Sequence, residues 1–252
     1  MAKKRVLITG MSGLIGQVCR RELGDLYQLS ALNRRPVEGL PCLQADIADL
    51  GAIRPAFEGV ETVVHLAAMA QGDPTWEDVL PHNIVGTYNV FEAARAAGVE
   101  RVIFASSGAA VSEWERHAPY DALVEGRYGE VTNWDLLDTS LIRANGLYGC
   151  SKQFGETLAR FFSDRWGLSM VCLRIGRVHL NDRPNEVRDF SVWCSHADIA
   201  QMIRRCIDAP EDLKFGIYYV VSDNHWNYRS LENARRDLGY EPQDTADRFR
   251  DG

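Results

Sequence analysis

The chain has 252 residues, of which 46% are hydrophobic and 25% charged, with a formal net charge of -7. That length can bury a sizeable core and suits one α/β domain with a small appended lobe. An acidic surplus excludes a general nucleic-acid binder, which needs clustered Lys and Arg to neutralise phosphates, and leaves a small-molecule partner.

Short β-branched runs at 5–9, 27–32, 41–45, 62–67, 101–106 and 169–175 alternate with helix-period segments such as 14–23, 86–98 and 152–162. This alternation predicts a doubly wound, Rossmann-like α/β fold, a parallel sheet with helices on both faces. Pro81 should kink or split the helix that contains it. Beyond Ile175 the pattern loosens into a polar loop, a helix at 196–209, a strand at 215–222 and a helix at 230–239. The expected division is a dinucleotide-binding domain over 1–176 and a small C-terminal substrate lobe over 177–252, packed on the first. The six cysteines, Cys19, Cys42, Cys150, Cys172, Cys194 and Cys206, form no C-x-x-C pair, so neither a metal site nor a disulfide framework is expected. The start MAKKRVLITG is too short for a signal-peptide core and no stretch approaches a membrane span, so a cytoplasmic chain with reduced thiols is expected.

Gly10, Gly13 and Gly16 stand in TGMSGLIG, between the first strand and the first helix, with Ser12, Leu14 and Ile15 completing the turn. Glycines let the backbone approach a pyrophosphate, which then sits against the positive end of the helix. About 20 residues further on, an acidic residue would bind the ribose 2′-hydroxyl of NAD. Asn33, Arg34 and Arg35 stand there instead. Without the carboxylate a 2′-phosphate is not repelled, and two guanidinium groups could bind one, so NADP is slightly favoured over NAD. The other reading of the arginines is a solvated turn. Asp46 is placed to accept from the adenine amino group, with Ile47 beside the ring. Leu66, Ala67 and Ala68 follow the fourth strand and are small enough to pass close to the cofactor. His65 reads as a packed strand residue.

The motif YGCSK puts Tyr148 and Lys152 four residues apart on one helix face. A phenol near pKa 10 is a poor base at neutral pH, and a nearby ammonium favours its ionised form. Ser106 and Ser107 end the fifth strand, where a hydroxyl could meet the same reacting group. The 41-residue interval from Ser107 to Tyr148 is long for a connection in a compact domain and should hold a lid or short helices of its own. Its Trp114, Tyr120, Tyr128 and Trp134 could line a pocket or pin the loop down.

The stretches TGMSGLIG, QADIAD, VVHLAA, HNIVGTYNV, FASS, LYGCSKQFGE and LRIG resemble the extended short-chain dehydrogenases, the NAD-dependent epimerase/dehydratase family, over nearly the whole chain. The resemblance implies that Ser107 binds the reacting carbonyl or hydroxyl, Tyr148 is the acid/base, Lys152 supports it and binds the nicotinamide ribose, and Asn83 is the helix asparagine near the lysine. It also places Ala105, Ser106 and Ile175 beside the cofactor. LYGCSKQFGETLARFF, VWCSHADIA and the segment from Tyr218 to Asp244 are most similar to uronate dehydrogenases and archaeal-type glucose-6-phosphate dehydrogenases. That implies oxidation of a sugar or acidic sugar derivative (a uronate, sugar phosphate or sulfonated sugar) at C1 to a lactone. Arg188 matches the arginine that grips the substrate's acid in these relatives. Arg177 is a second candidate cation or a salt-bridged surface residue. SSGAA departs from the SSNH of uronate dehydrogenases, with Gly108 and Ala109 replacing two polar substrate-binding residues. An epimerase or dehydratase that recycles NAD internally and a non-catalytic dinucleotide sensor are the alternatives. Retention of both Tyr148 and Lys152 speaks against a sensor, and the absence of an acidic pair beside Ser107 speaks against a dehydratase. A homodimer through the long helices is a further implication of the resemblance.

Overall fold

The computed structural model describes residues 3–70 and 72–250. In chain order, β1 (Arg5–Thr9), α1 (Leu14–Leu23), β2 (Gln28–Asn33), β3 (Cys42–Gln44), α2 (Leu50–Ile53) and β4 (Thr62–His65) build the first half. They are followed by α3 (Trp76–Val79), α4 (Gly86–Ala96), β5 (Arg101–Ser107), α5 (Tyr120–Glu125) and α6 (Leu147–Trp166). The last elements are β6 (Ser169–Ile175), α7 (Asp189–Val192), α8 (His196–Ile207), β7 (Phe215–Val220) and α9 (Glu232–Leu238). All seven strands run parallel in one sheet of order β3-β2-β1-β4-β5-β6-β7. The order reverses between β1 and β4, and in such sheets ligands bind outside the carboxyl ends of the strands at that crevice.

Every residue of β6 is buried, as expected of a strand covered on both faces. One apolar layer joins Val18 and Cys19 of α1 to Ile199 and Ile203 of α8 across the sheet residues Ile8, Val64 and Val171. The other layer joins Phe91 of α4 and Phe162 of α6 to Phe57, Val63 and Phe104. Gly155 lets α6 lie close on β5, since a Cβ there would fall 2.3 Å from Phe104 Cζ. Among the described residues no helix is long and apolar enough to cross a membrane.

Two expectations bear on how the elements join. Pro81 does split its helix: Leu80–Val85 is a π-type turn between α3 and α4, because proline supplies no amide for the regular ladder. The lobe expected beyond residue 176, packed on the first domain and not independent of it, contributes to the same sheet and core. β7 pairs with β6 inside the one sheet, and α8 packs on α1. What overhangs the site is assembled from both sides of that boundary: Tyr120, Leu123 and Leu137 of the long β5–α6 interval cluster with Val192 and Tyr228. The interval carries short helices of its own, and its aromatic residues pin it down. Tyr128 stacks on Trp226 with centroids 4.1 Å apart, and the Trp134 indole donates to the Asn227 carbonyl.

Candidate active site

The glycine turn is built for close approach. Gly10 has φ +73°, and a Cβ there would lie 2.9 Å from the Ala67 amide nitrogen, so the turn after β1 touches the chain leaving β4. Gly16 lies against Met11, whose carbonyl oxygen a Cβ would meet at 2.5 Å. Gly13 caps α1 with no side-chain bond to the first amides, which leaves Leu14, Ile15 and Gly16 at a helix end able to receive an anion. A cavity of about 540 Å³ opens beside it, lined by Gly10, Ser12, Gly13, Asn33, Asp46 and Ala67 among others. These residues fit a dinucleotide.

Leu66, Ala68, Ile47, Arg34 and Arg35 also line this cavity, together with Met69 and His82, which sequence reasoning did not single out. His82 stands 3.5 Å from an Asp46 carboxylate oxygen and 3.4 Å from Arg34, so it joins the two along the rim. Only its place one residue after Pro81 hinted at it. Asn33 is buried and spends its amide on Ser12 Oγ and the Arg35 carbonyl. It ties the end of β2 to the glycine turn and leaves the exposed Arg34 and Arg35 as the rim's cations. His65 is a packed residue, as read: its ring meets Thr9 at 2.8 Å, and burial, aided by Lys152, lowers its pKa to about 3.

Past the glycine turn, β5 ends in Ser106 and Ser107, and α6 brings Tyr148 and Lys152 across from it. The Tyr148 hydroxyl lies near Ser107. Burial raises the phenol's pKa, an effect the serine contact only partly offsets. Lys152 does not yet activate it. The ammonium, 5.5 Å from the Tyr148 ring centroid, donates instead to the Ala105 carbonyl at 2.7 Å, and burial lowers its pKa to about 7 against the opposing pull of Glu156. Ile175 closes the end of β6 and is buried.

Three expected roles change. Asn83, expected near Lys152, makes no hydrogen bond to it but bonds the neighbouring Ser151. It accepts from the Met69 amide at 2.7 Å and donates to Ser151 Oγ at 3.0 Å, and Ser151 bonds the Tyr148 carbonyl. It is therefore a positioning residue joining the loop after β4 to α6. The Ser106 hydroxyl is turned away from the cofactor side to Glu156. Arg188 forks onto Glu115, with Nε and Nη2 2.6 and 2.8 Å from its two oxygens. Burial would raise the Glu115 carboxyl, but Arg188 and Arg229 hold it below the usual carboxylate range. The guanidinium expected to meet a substrate acid is thus neutralised by the chain's own acid, four residues after Val111. Arg177 takes the salt-bridged alternative, 3.3 Å from Glu186 and 3.7 Å from the buried Asp189. Gly108 adjoins the buried Arg229, which sequence reasoning missed. Among the described residues no group of His, Cys, Asp or Glu could hold a metal ion.

A model of the NAD dependent epimerase/dehydratase family matches residues 6–216. The chain belongs to this family. Within it, the chain is 37% identical to an NAD-dependent glucose-6-phosphate dehydrogenase of Haloferax volcanii, over 97% of this chain and 95% of that one. It is 32% identical to a uronate dehydrogenase of Agrobacterium fabrum, over 98% of this chain and 87% of the relative. A crystal structure of a mutant uronate dehydrogenase from Agrobacterium tumefaciens, complexed with NAD, superposes with a TM-score of 0.84 at 31% identity and covers 99% of this chain and 88% of that one. Here Ser107, Tyr148 and Lys152 adjoin at the crevice, and the glycine at 108 makes room for Arg229.

The buried Lys152 makes a pH prediction. Its pKa is about 7 in the folded chain against an ordinary 10.5, so between these values the unfolded chain holds the extra proton. Stability of the cofactor-free protein should therefore rise from pH 7 towards pH 10, by at most about 1.4 kcal/mol per pH unit. Thermal melts across that range should show the rise in the wild type and a flatter profile in Lys152→Met; parallel profiles would place the titrating group elsewhere.

Proposed function

We propose that this protein is an NAD(P)-dependent sugar dehydrogenase that oxidises a free sugar or an acidic sugar derivative at C1 to the lactone. The observation that carries the reading is the approach of Tyr148 to Ser107, with Lys152 one helical turn on, at the carboxyl ends of β5 and β6 beside the glycine turn. Relatives alike over nearly their whole length are named for glucose 6-phosphate and uronate oxidation. The chain covers those relatives almost end to end, and the described residues around Ser107 offer no acidic pair of the sort a dehydratase would use.

The chain's own residues divide the work. The Ser107 hydroxyl holds the anomeric hydroxyl against the Tyr148 phenol, and ionised Tyr148 takes its proton. Lys152, released from the Ala105 carbonyl, can stabilise the phenolate and bind a ribose hydroxyl. A bound nicotinamide supplies the acceptor for the hydride leaving C1. The cofactor is NAD or NADP. Arg34 and Arg35, exposed in the cavity directly after β2 where the sequence carries no acidic residue, support NADP.

A homodimer is the assembly we infer. Leu147, Phe154 and Phe161 recur every seven residues along α6 and are exposed, and Tyr88 of α4 and Trp166 are exposed with them. Seven-residue spacing makes a stripe along one helix face, and a second copy would cover it. Tyr88→Asp with Phe161→Asp should convert a dimer to a monomer by sedimentation; a wild type sedimenting as a monomer removes the inference.

Two kinetic predictions test the site. Tyr148→Phe should lower kcat by roughly a hundredfold or more, as expected for loss of a general acid/base, with the NADH dissociation constant nearly unchanged. A variant that keeps above about a tenth of wild-type kcat would take Tyr148 out of that role. Replacing Arg34 and Arg35 together by alanine should weaken NADP binding about ten- to hundredfold while NAD changes little. Equal changes in both dissociation constants would return the two arginines to a solvated turn.

A further inference from the structure

The other deeply buried guanidinium groups near the site and sheet are matched by acceptors. Arg174 forks onto Glu156 with two bonds of 2.8 Å. Arg101 is met by Ser169 Oγ and the carbonyls of Cys206, Ala209 and Pro210. Arg229 differs. Its side chain is 1% exposed, its one side-chain hydrogen bond runs from Nη2 to the Tyr228 hydroxyl at 3.3 Å, and its Nε and Nη1 have no partner among the described residues. The nearest carboxylate oxygen, on Glu115, is 3.7 Å away and already receives Arg188 and Tyr228. Buried donors without acceptors are rare because each forfeits its hydration. A cation left with two of them is aimed at something the chain does not supply.

Its position says what. A Cβ on Gly108 would lie 2.4, 2.6 and 2.7 Å from Nη2, Nη1 and Cζ of Arg229. The guanidinium therefore takes the space that a side chain at 108 would fill, one residue from Ser107. It is also held rigidly. Asn227 accepts from the Arg229 amide and donates to its carbonyl, and the rings of Tyr228 and Tyr219 flank the cation at 5.3 and 5.9 Å.

We propose that Arg229, admitted by Gly108, is the residue through which this pocket recognises an oxyanion on the sugar. The inference rests on the sugar-oxidising reading above and moves anion recognition from Arg188 to Arg229. With C1 at Tyr148 and Ser107, a carboxylate, phosphate or sulfonate at the far side of the ring would meet the partnerless Nη1. Nη1 shares the terminal edge of the guanidinium with Nη2, whose one bond is the 3.3 Å contact with Tyr228, and that edge is a two-donor fork that a two-oxygen acceptor matches. Arg188, held by Glu115, fastens the loop before α7 to the turn after β5.

The test uses the purified full chain with glucose, glucuronate, glucose 6-phosphate and 6-deoxy-6-sulfoglucose. Two readouts are taken: kcat/KM with NAD and NADP, and calorimetric binding to the NADH-loaded protein. The wild type should prefer at least one acidic sugar over glucose, and the arms identify which oxyanion. Arg229→Gln should erase roughly ten- to hundredfold of that preference, and Arg229→Lys most of it, whereas Arg188→Gln should lower acidic and neutral sugars in parallel. Because Arg229→Gln could fail to fold, the double variant Glu115→Gln with Arg188→Gln provides a second arm. It strips the carboxylate from beside Arg229 without freeing Arg188, so acid preference should rise. Equal losses for all sugars in Arg229→Gln, an unchanged or lower acid preference in the double variant, or a wild type that binds no acidic sugar better than glucose would overturn the proposal. Reduced cofactor from none of the four sugars would sink the oxidation reading instead, and the calorimetric arm would still decide the role of Arg229.

Discussion

Everything at the reacting end of the crevice turns on the buried ion pair between Glu156 of α6 and Arg174 of β6. Tyr148, Lys152 and Glu156 follow one another at four-residue intervals, so they lie along one face of α6. Glu156 is gripped from the sheet by both arms of Arg174 and by the Ser106 hydroxyl of β5. The rotation of the helix about its axis, and with it the direction of the phenol and the ammonium, is fixed by three bonds one turn below them. Arg174 extends the same grip to the Leu141 carbonyl and the Tyr219 hydroxyl, which ties the covering interval and β7 to the same point. Leaving either partner of such a pair buried alone costs about 3–5 kcal/mol. A precise site on a helix is held here by charge as well as by packing.

A second layer of buried charge sits above the first. Glu115 stands between Arg188 and Arg229, and Asp189 receives His179 and the amides of Asn185 and Glu186. Polar loops can cross the carboxyl edge of a parallel sheet only if their backbone and charged groups find partners there. The interval between β5 and α6 and the segment between β6 and α8 meet that demand for one another, so neither is an independent lobe. Their chemistry differs accordingly: Arg177 and Arg188 are spent on holding loops, while Arg229 keeps donors in reserve.

The doubly wound sheet, the glycine turn, the split at Pro81 and the pairing of Tyr148 with Lys152 were legible in the chain because each depends on local spacing. Alternating strands and helices set the layers, glycine supplies the conformations that proline and bulky residues refuse, and four residues return a helix to the same face. The packed state of His65 was legible for the same reason, as a polar residue inside an apolar strand. Similarity in sequence also carried the family, since its motifs sit at the ends of these regular elements.

What only the tertiary structure decided is which charges meet. Glu115 and Arg188 are 73 residues apart, Gly108 and Arg229 lie in different segments, and no period relates them. A guanidinium in the sequence reads the same whether a carboxylate of the chain faces it or not. Its availability to a ligand is set by a partner several ångströms away in space, after loops from both ends of the sheet have closed on each other. The sequence by itself therefore determined the fold, the glycine turn and the placing of Tyr148 and Lys152 on one helix face; the folded chain alone decided that Arg188 is occupied and that Arg229 has donors to give.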